Sequence, residues 1–347
     1  MKGKVLLAVC LAVVLVVSLV PACAAPAPTP TPTPTPTAAE FVWRLNTNYV
    51  QGGVVADQCE WFAKSVEERS GGRMKIEIYY VGALGYKSFE ALSVLKEGLL
   101  ELNEMVGASS QGEIALSSIP NMPFLFSSGA EEDYWEYETF MPVFNEVLER
   151  DWNAKVIFST PDWVPIMFFS KYPLMTPEDF AGKQIRTWGG INDAAVDAIG
   201  MTPFVISTAD IYTSLQRGMI DTAITSYVSA TECKFWEVLD YVIQLPLYPH
   251  RQWEVMNLDA FNALPADLQE VVLTAGMDAT GYWSYQVKFW PARLLKMLTD
   301  GGMEVIVPPT STVEAFKEMV GPVYQNFVDE MDMPEVTQLM KDLGAVD

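Results

Sequence analysis

Arg186 closes a short strand-like run, KQIRTW (183–188), directly before Gly189, Gly190 and a new helical pattern, INDAAVDAIG. A guanidinium beyond the carboxyl end of a strand and beside a helix amino terminus sits where open α/β sheets bind ligands, and its paired donors match a carboxylate. The bland alternative is an ordinary surface arginine. Trp188 shares the strand face of Arg186; it either covers a ligand held there or seals the sheet edge as a structural tryptophan. Asn192 opens the following helix and either caps it or turns its amide to a ligand oxygen.

The flanking residues predict the elements that position this arginine. Thr176 reads as an N-cap, with Pro177 at the first helical position and Glu178 and Asp179 in the first turn, and the short helix stops at Gly182. Upstream, the periodicities alternate: a strand at 42–45, a helix at 54–69, a strand at 74–80, a helix at 89–97, a strand at 99–105, a helix at 131–149 and a strand at 155–159. Downstream come a strand at 166–170, the Arg186 strand, helices near Ala194 and at 211–217, and strands at 221–225 and 241–244. This is α/β alternation, which predicts a largely parallel sheet covered by helices. Pro265 opens a helical pattern running to about Thr299, which Pro291 is expected to kink; at that length it spans roughly 50 Å, enough to cross two lobes.

Catalytic signatures are missing from the chain. Its one histidine, His250, has no triad or metal partners nearby in sequence, and no GxSxG, P-loop, HExxH or dinucleotide fingerprint occurs. The 44 acidic residues give a formal net charge of -22, which opposes nucleic-acid binding and anionic membrane surfaces. An acidic protein that binds a small anion needs a local positive site, and Arg186 is the candidate. No metal or cofactor is expected. Paired carboxylates from distant segments leave an enzyme open. Of four cysteines, Cys59 and Cys233 fall in the folded part; their spacing matches no metal motif, and Cys59 joins Val55, Phe62 and Val66 on one helix face, predicting a buried thiol.

Residues 1–22 form a targeting segment: Lys2 and Lys4 precede an apolar run, and Val20-Pro21-Ala22-Cys23 resembles a lipoprotein processing box whose cysteine becomes the lipidated amino terminus. An ordinary secretory signal cut after an alanine is the alternative, and both export the folded part. Residues 23–39, alternating proline and threonine, predict an extended tether reaching roughly 50 Å at about 3 Å per residue. Membrane contact is expected only through that lipid anchor.

The order TPEDFAGKQIR, AIGMTPFVIS and ADIYTSLQRGMIDTAI resembles the solute-binding proteins of tripartite ATP-independent periplasmic (TRAP) transporters, the DctP type. AKSVEERSGGRMKIEIYYVGALG, IPNMPFLF and WEVMNLDAFNALPADLQE extend the likeness over nearly everything after residue 40. The resemblance implies a two-lobed, periplasmic-binding-protein-like α/β fold with crossover strands near Trp163 and Trp253 and a long lobe-spanning helix. Residues 40–163 and 252–291 would make the first lobe, and 164–251 and 292–347 the second. It implies capture of a small organic acid between the lobes and delivery to a TRAP permease. Trp163, Tyr227, Asn46 and Asn48 fall on loops that contribute ligand contacts in the family, although core or hinge packing accounts for the aromatics equally well. A Cys59 to Cys233 disulfide would tie two lobes that must move, and is not expected.

Two departures from the family pattern bear on the substrate. Val164-Pro165-Ile166 stands where some members carry a second basic residue, and Ile224 or Thr225 where members binding a metal-chelated 2-oxo acid have a glutamate. A monocarboxylate with an apolar or aromatic portion is therefore expected. Readings from other classes are an exported hydrolase or lyase and a ligand-binding sensor for a receptor kinase.

Overall fold

The computed structural model describes residues 39–346, apart from 54, 127–132, 163–164, 208–209 and 249. The targeting segment, nearly all of the tether, Cys23 and Trp163 lie outside the described residues.

The first lobe starts with β1 (Phe41–Asn46), α1 (Ala56–Arg69), β2 (Met74–Tyr79), α2 (Ala91–Lys96) and β3 (Leu102–Val106), and continues through α3 (Met141–Trp152) to β4 (Ala154–Asp162). The second holds β5 (Met167–Ser170), α4 (Pro177–Phe180), β6 (Gln184–Thr187), α5 (Ile191–Ala198), β7 (Thr202–Val205), α6 (Ile211–Gln216), β8 (Thr222–Thr225), α7 (Tyr227–Glu232) and β9 (Tyr241–Ile243). The chain then returns to the first sheet as β10 (His250–Asn257), followed by α8 (Leu258–Asn262), α9 (Ala266–Gln286), α10 (Trp290–Asp300), β11 (Glu304–Ile306), α11 (Thr310–Met331) and α12 (Pro334–Asp342).

Both sheets are mixed, with orders β2-β1-β3-β10-β4 and β11-β9-β5-β8-β6-β7. The largely parallel sheet read from the sequence is thus only partly found, for a topological reason. Strands joined through helices within a lobe pair in parallel, and β11, which returns through α10, also pairs in parallel with β9. All four antiparallel pairings involve β5 or β10, the two strands that arrive directly from the other lobe. The second crossover falls between β9 and β10, ahead of Trp253, which is buried in mid-β10 opposite Met105 and Ser159. There the two connecting segments bond to each other, Ile166 N–H to the Tyr248 carbonyl and Leu247 N–H to the Ile166 carbonyl, both at 2.9 Å.

The long helical pattern divides instead of kinking. α9 ends at Gln286 and α10 restarts at Trp290 with Pro291 in its first turn, where the missing N–H costs nothing. α9 packs on α1 and β4, while α10 packs on α7, so the run crosses from one lobe to the other in two pieces. Gly276 permits the close seat of α9, because a Cβ there would stand 2.3 Å from the Ile157 carbonyl oxygen. Phe316 of α11 joins the lobes from the other side, its ring 6.0 Å from Phe124 and 4.9 Å from Phe180, edge-on to the latter.

Cys59 is buried with Val55, Phe62 and Val66, as its helix face predicts, and no disulfide joins it to Cys233. Among the described residues no helix is long and apolar enough to cross a membrane.

Candidate functional site

Arg186 is fully buried at the end of β6. Its Nε donates to the Ile206 carbonyl at 2.8 Å and its Nη1 to the Ile224 carbonyl at 3.3 Å, which fixes the plane of the fork. The indole of Trp188 lies against that plane, 4.4 Å from ring centroid to Cζ, so the tryptophan that shares its strand face also shares its contact. Burial pulls the guanidinium down to about 10, with Tyr248 and Cys233 acting the other way, and the group stays charged at neutral pH. Gly189 and Gly190 then turn the chain into α5. Gly190 has φ 60° and ψ -136°, and a Cβ on it would stand 2.4 Å from Gln111 Oε1, so glycine is required twice over.

Asn192, in the first turn of α5, is also fully buried. Its Oδ1 accepts from the Tyr248 hydroxyl at 2.8 Å, and among the described residues its Nδ2 has no partner. On the first lobe, Asn46 donates Nδ2 to Asn103 Oδ1 at 3.0 Å, and its own Oδ1 is unpartnered among those residues. Asn48 donates its backbone N–H to Glu104 Oε2 at 2.9 Å, again with an unpartnered Nδ2. Unsatisfied buried amide groups are costly, and these three lie on both lobes. Gln111 Oε1 accepts the Ile191 N–H at 3.1 Å across the lobes, and Gly53 lies beside Glu232 of α7.

Tyr227 takes the packing alternative. Its ring is edge-on to Phe169 in the core of the second lobe and its hydroxyl accepts from Gln244 Nε2 at 2.5 Å. Of the positions where a second base or a metal-binding acid is expected in other members, Val164 lies outside the described residues, Ile166 and Ile224 are buried apolar side chains, and Thr225 is buried and uncharged. Among the described residues no three His, Cys, Asp or Glu side chains gather as a metal set.

A second buried arginine, Arg251, plays a different part. It pairs with Asp133 and, at 3.1 Å, with Glu136, whose other oxygen accepts from Trp253 Nε1 and Ser159. That charge is neutralised inside the first lobe. A groove of about 470 Å³ between α5 and α11 is lined by Gln111, Ile191, Asn326, Asp197 and Glu330; its acids suit an anion poorly, and Arg186 does not line it. Sequence reasoning missed Tyr248, Gln111 and Glu104. Tyr248 sits in a proline-rich connector and Gln111 in a loop without periodicity, so neither carries a local signal.

The family model described as bacterial extracellular solute-binding protein, family 7 (DctP), matches residues 46–330. A solute-binding protein of Sulfitobacter sp. (strain NAS-14.1) is 27% identical over 290 residues, covering 81% of this chain and 84% of that one. The 2,3-diketo-L-gulonate-binding periplasmic protein YiaO of Escherichia coli (strain K12) is 25% identical over 295 residues, covering 82% and 85%. Among solved structures, a TRAP periplasmic solute-binding protein from Sulfitobacter sp. NAS-14.1 with bound β-D-galacturonate has a TM-score of 0.77 at 23% identity, covering 86% of this chain and 97% of that one. DctP7 of Bordetella pertussis, an extracytoplasmic solute receptor binding pyroglutamic acid, has a TM-score of 0.79 at 20% identity, covering 86% and 99%.

Proposed function

From the premise that this chain belongs to the family-7 bacterial extracellular solute-binding proteins, we propose that Arg186 binds the carboxylate of a small organic acid between its two lobes. The chain is an extracytoplasmic solute-binding protein of the TRAP type. The observation that carries the site is the buried guanidinium at the end of β6, held flat by two backbone carbonyls and the Trp188 ring. A fixed fork in a low-dielectric site favours bidentate pairing with a carboxylate, and the relatives' bound galacturonate and pyroglutamic acid are carboxylates.

The ligand is a monocarboxylate, since neither Val164-Pro165-Ile166 nor Ile224-Thr225 offers a second carboxylate a charge. Its body carries hydroxyl or carbonyl oxygens. This revises the apolar portion expected from the sequence, because the amides of Asn48 and Asn192 lack acceptors. Asn46 makes the complementary demand: its Oδ1 lacks a donor, which a ligand hydroxyl supplies. Trp163 belongs to this reading on family position alone.

Binding closes the lobes about the two connecting segments, and the closed form docks on a TRAP permease; Cys23 carries the lipid that keeps the protein at the membrane. Capture is without turnover. Mass spectrometry of small molecules eluted from natively purified protein, followed by a thermal-shift screen of monocarboxylates including glucuronate, galacturonate, pyroglutamate and orotate, tests the reading. One such acid should raise the melting temperature and be recovered unchanged after incubation. A screen in which no carboxylate binds, or in which the bound acid is converted, overturns it.

A further inference from the structure

Two carboxylates face each other inside the first lobe. Glu104 on β3 and Glu254 on β10 are directly opposed in the antiparallel register, and they are 3% and 2% exposed. Opposed residues on neighbouring strands hold their Cβ atoms about 4.5–5.5 Å apart, on one face of the sheet. Glu104 Oε2 is fully engaged: it accepts the Thr47 hydroxyl at 2.6 Å and the Asn48 backbone N–H at 2.9 Å. Glu254 Oε2 meets only the Cys59 thiol, at 4.0 Å, among its described side-chain contacts. The remaining oxygen of each, Oε1, has no partner among the described residues.

Two acceptors without donors on opposed side chains are accounted for by one proton. We propose that Glu254 is protonated and donates to Glu104 Oε1, and that this acid pair anchors Glu104 Oε2 beneath the Thr47–Asn48 backbone, making Glu104 the positioning residue for the Asn48 amide. The functional half of this inference rests on the reading that Asn48 lines the ligand site.

The surroundings decide which partner keeps the proton. Like charges this close in a buried site cannot both ionise, so the pair behaves as a single acid at neutral pH. Burial raises the Glu104 carboxyl as well, but hydrogen bonds from a hydroxyl and a backbone N–H oppose that and favour its charged form, and His250 of β10 acts in the same direction as those bonds. Glu254 has burial and the Glu104 charge against its ionisation. The titratable neighbours from α1 do not reverse this. Cys59 is pushed well above the thiol range by burial and by Glu254, Glu104 and Glu60, so it stays neutral, and Glu60 is bonded to the Tyr80 hydroxyl at 2.9 Å.

Infrared spectroscopy and hydrogen exchange of the full chain test this without any ligand. The wild type should show the carbonyl stretch of a protonated, solvent-shielded carboxyl at neutral pH, and Glu254→Gln should remove it while keeping the exchange protection of the Asn48 N–H, because the amide still donates to Glu104. Glu104→Ala should raise Asn48 exchange at least tenfold. Glu104→Gln, which retains an acceptor oxygen, should restore protection. Absence of the band at neutral pH, its survival in Glu254→Gln, or unchanged Asn48 exchange in Glu104→Ala overturns the proposal; near-ultraviolet circular dichroism verifies that each variant is folded. A protein that bound no monocarboxylate would leave these readouts unmoved, so the two failures are distinguishable.

Discussion

The hydroxyl of Tyr248 donates to Asn192 Oδ1 at 2.8 Å, a contact that joins the connecting segment before β10 to the first turn of α5. Because the oxygen is engaged, the orientation of the Asn192 amide is settled and its Nδ2 is the end presented for an acceptor. Burial pushes the Tyr248 phenol far above its ordinary range, so it remains a donor at every working pH. Tyr248→Phe leaves the amide oxygen without its partner and the orientation unset, at a cost of about 1–3 kcal/mol. Calorimetric titration with the acid found by screening should show affinity lower by roughly five- to a hundredfold. Unaltered affinity would remove Asn192 from the site.

Arg186 separates charge from geometry. Lysine keeps the charge but lacks the planar fork that meets the Ile206 and Ile224 carbonyls and stacks on Trp188, so Arg186→Lys should not rescue binding. Losing the partner of a buried carboxylate costs on the order of 2–5 kcal/mol, hence tens- to thousandsfold in affinity for both Arg186→Lys and Arg186→Ala. If a titration gave the alanine variant wild-type affinity, the carboxylate would have to sit elsewhere.

Closure is tested at Gly190. A methyl group there would overlap Gln111 Oε1, the atom that accepts the Ile191 N–H from the opposing lobe. Gly190→Ala should therefore disfavour the closed arrangement and also strain the backbone, since φ 60° with ψ -136° is open only to glycine. The two costs are separable by a double-mutant cycle: in a Gln111→Ala background the overlap is gone and only the strain of about 1–3 kcal/mol remains. Strictly additive losses in ligand affinity would mean that Gln111 and Gly190 do not meet in the bound state.

The sequence made most of the supersecondary order legible, because strands such as β1 and β2 and helices such as α1 each carry their own periodicity and breakers. Thr176 and Pro177 announce α4, and Asp179 completes the capping box by accepting the Thr176 N–H at 2.9 Å. Arg186 was legible for the same reason, being defined by a strand end, two glycines and a helix start. Features made by distant segments were not. Glu104 and Glu254 are far apart in the chain and meet only where β10 returns from the second lobe to set them opposite each other. The break between α9 and α10 was hidden because Pro291 is tolerated both at a kink and in a first turn.

Stability should fall as pH rises through the mildly acidic to neutral range, and Glu254 supplies the reason. Burial and the Glu104 charge hold the Glu254 carboxyl well above its ordinary value of 4.5, so the folded protein binds a proton that the unfolded chain releases. A raised value contributes stability that is complete below the unfolded value and is lost as pH climbs toward the folded one. Surface acids act in a separate window with the opposite sign: Asp267 and Asp151, held below their usual range by hydrogen bonds from Arg73 and Arg150, weaken the fold only as pH drops through their lowered values. Glu254→Gln removes the first dependence and leaves the second. Denaturant melts from mildly acidic to neutral pH should show the wild type losing stability as pH rises and Glu254→Gln losing less of it. Superimposable profiles would mean that Glu254 is ionised in the folded protein.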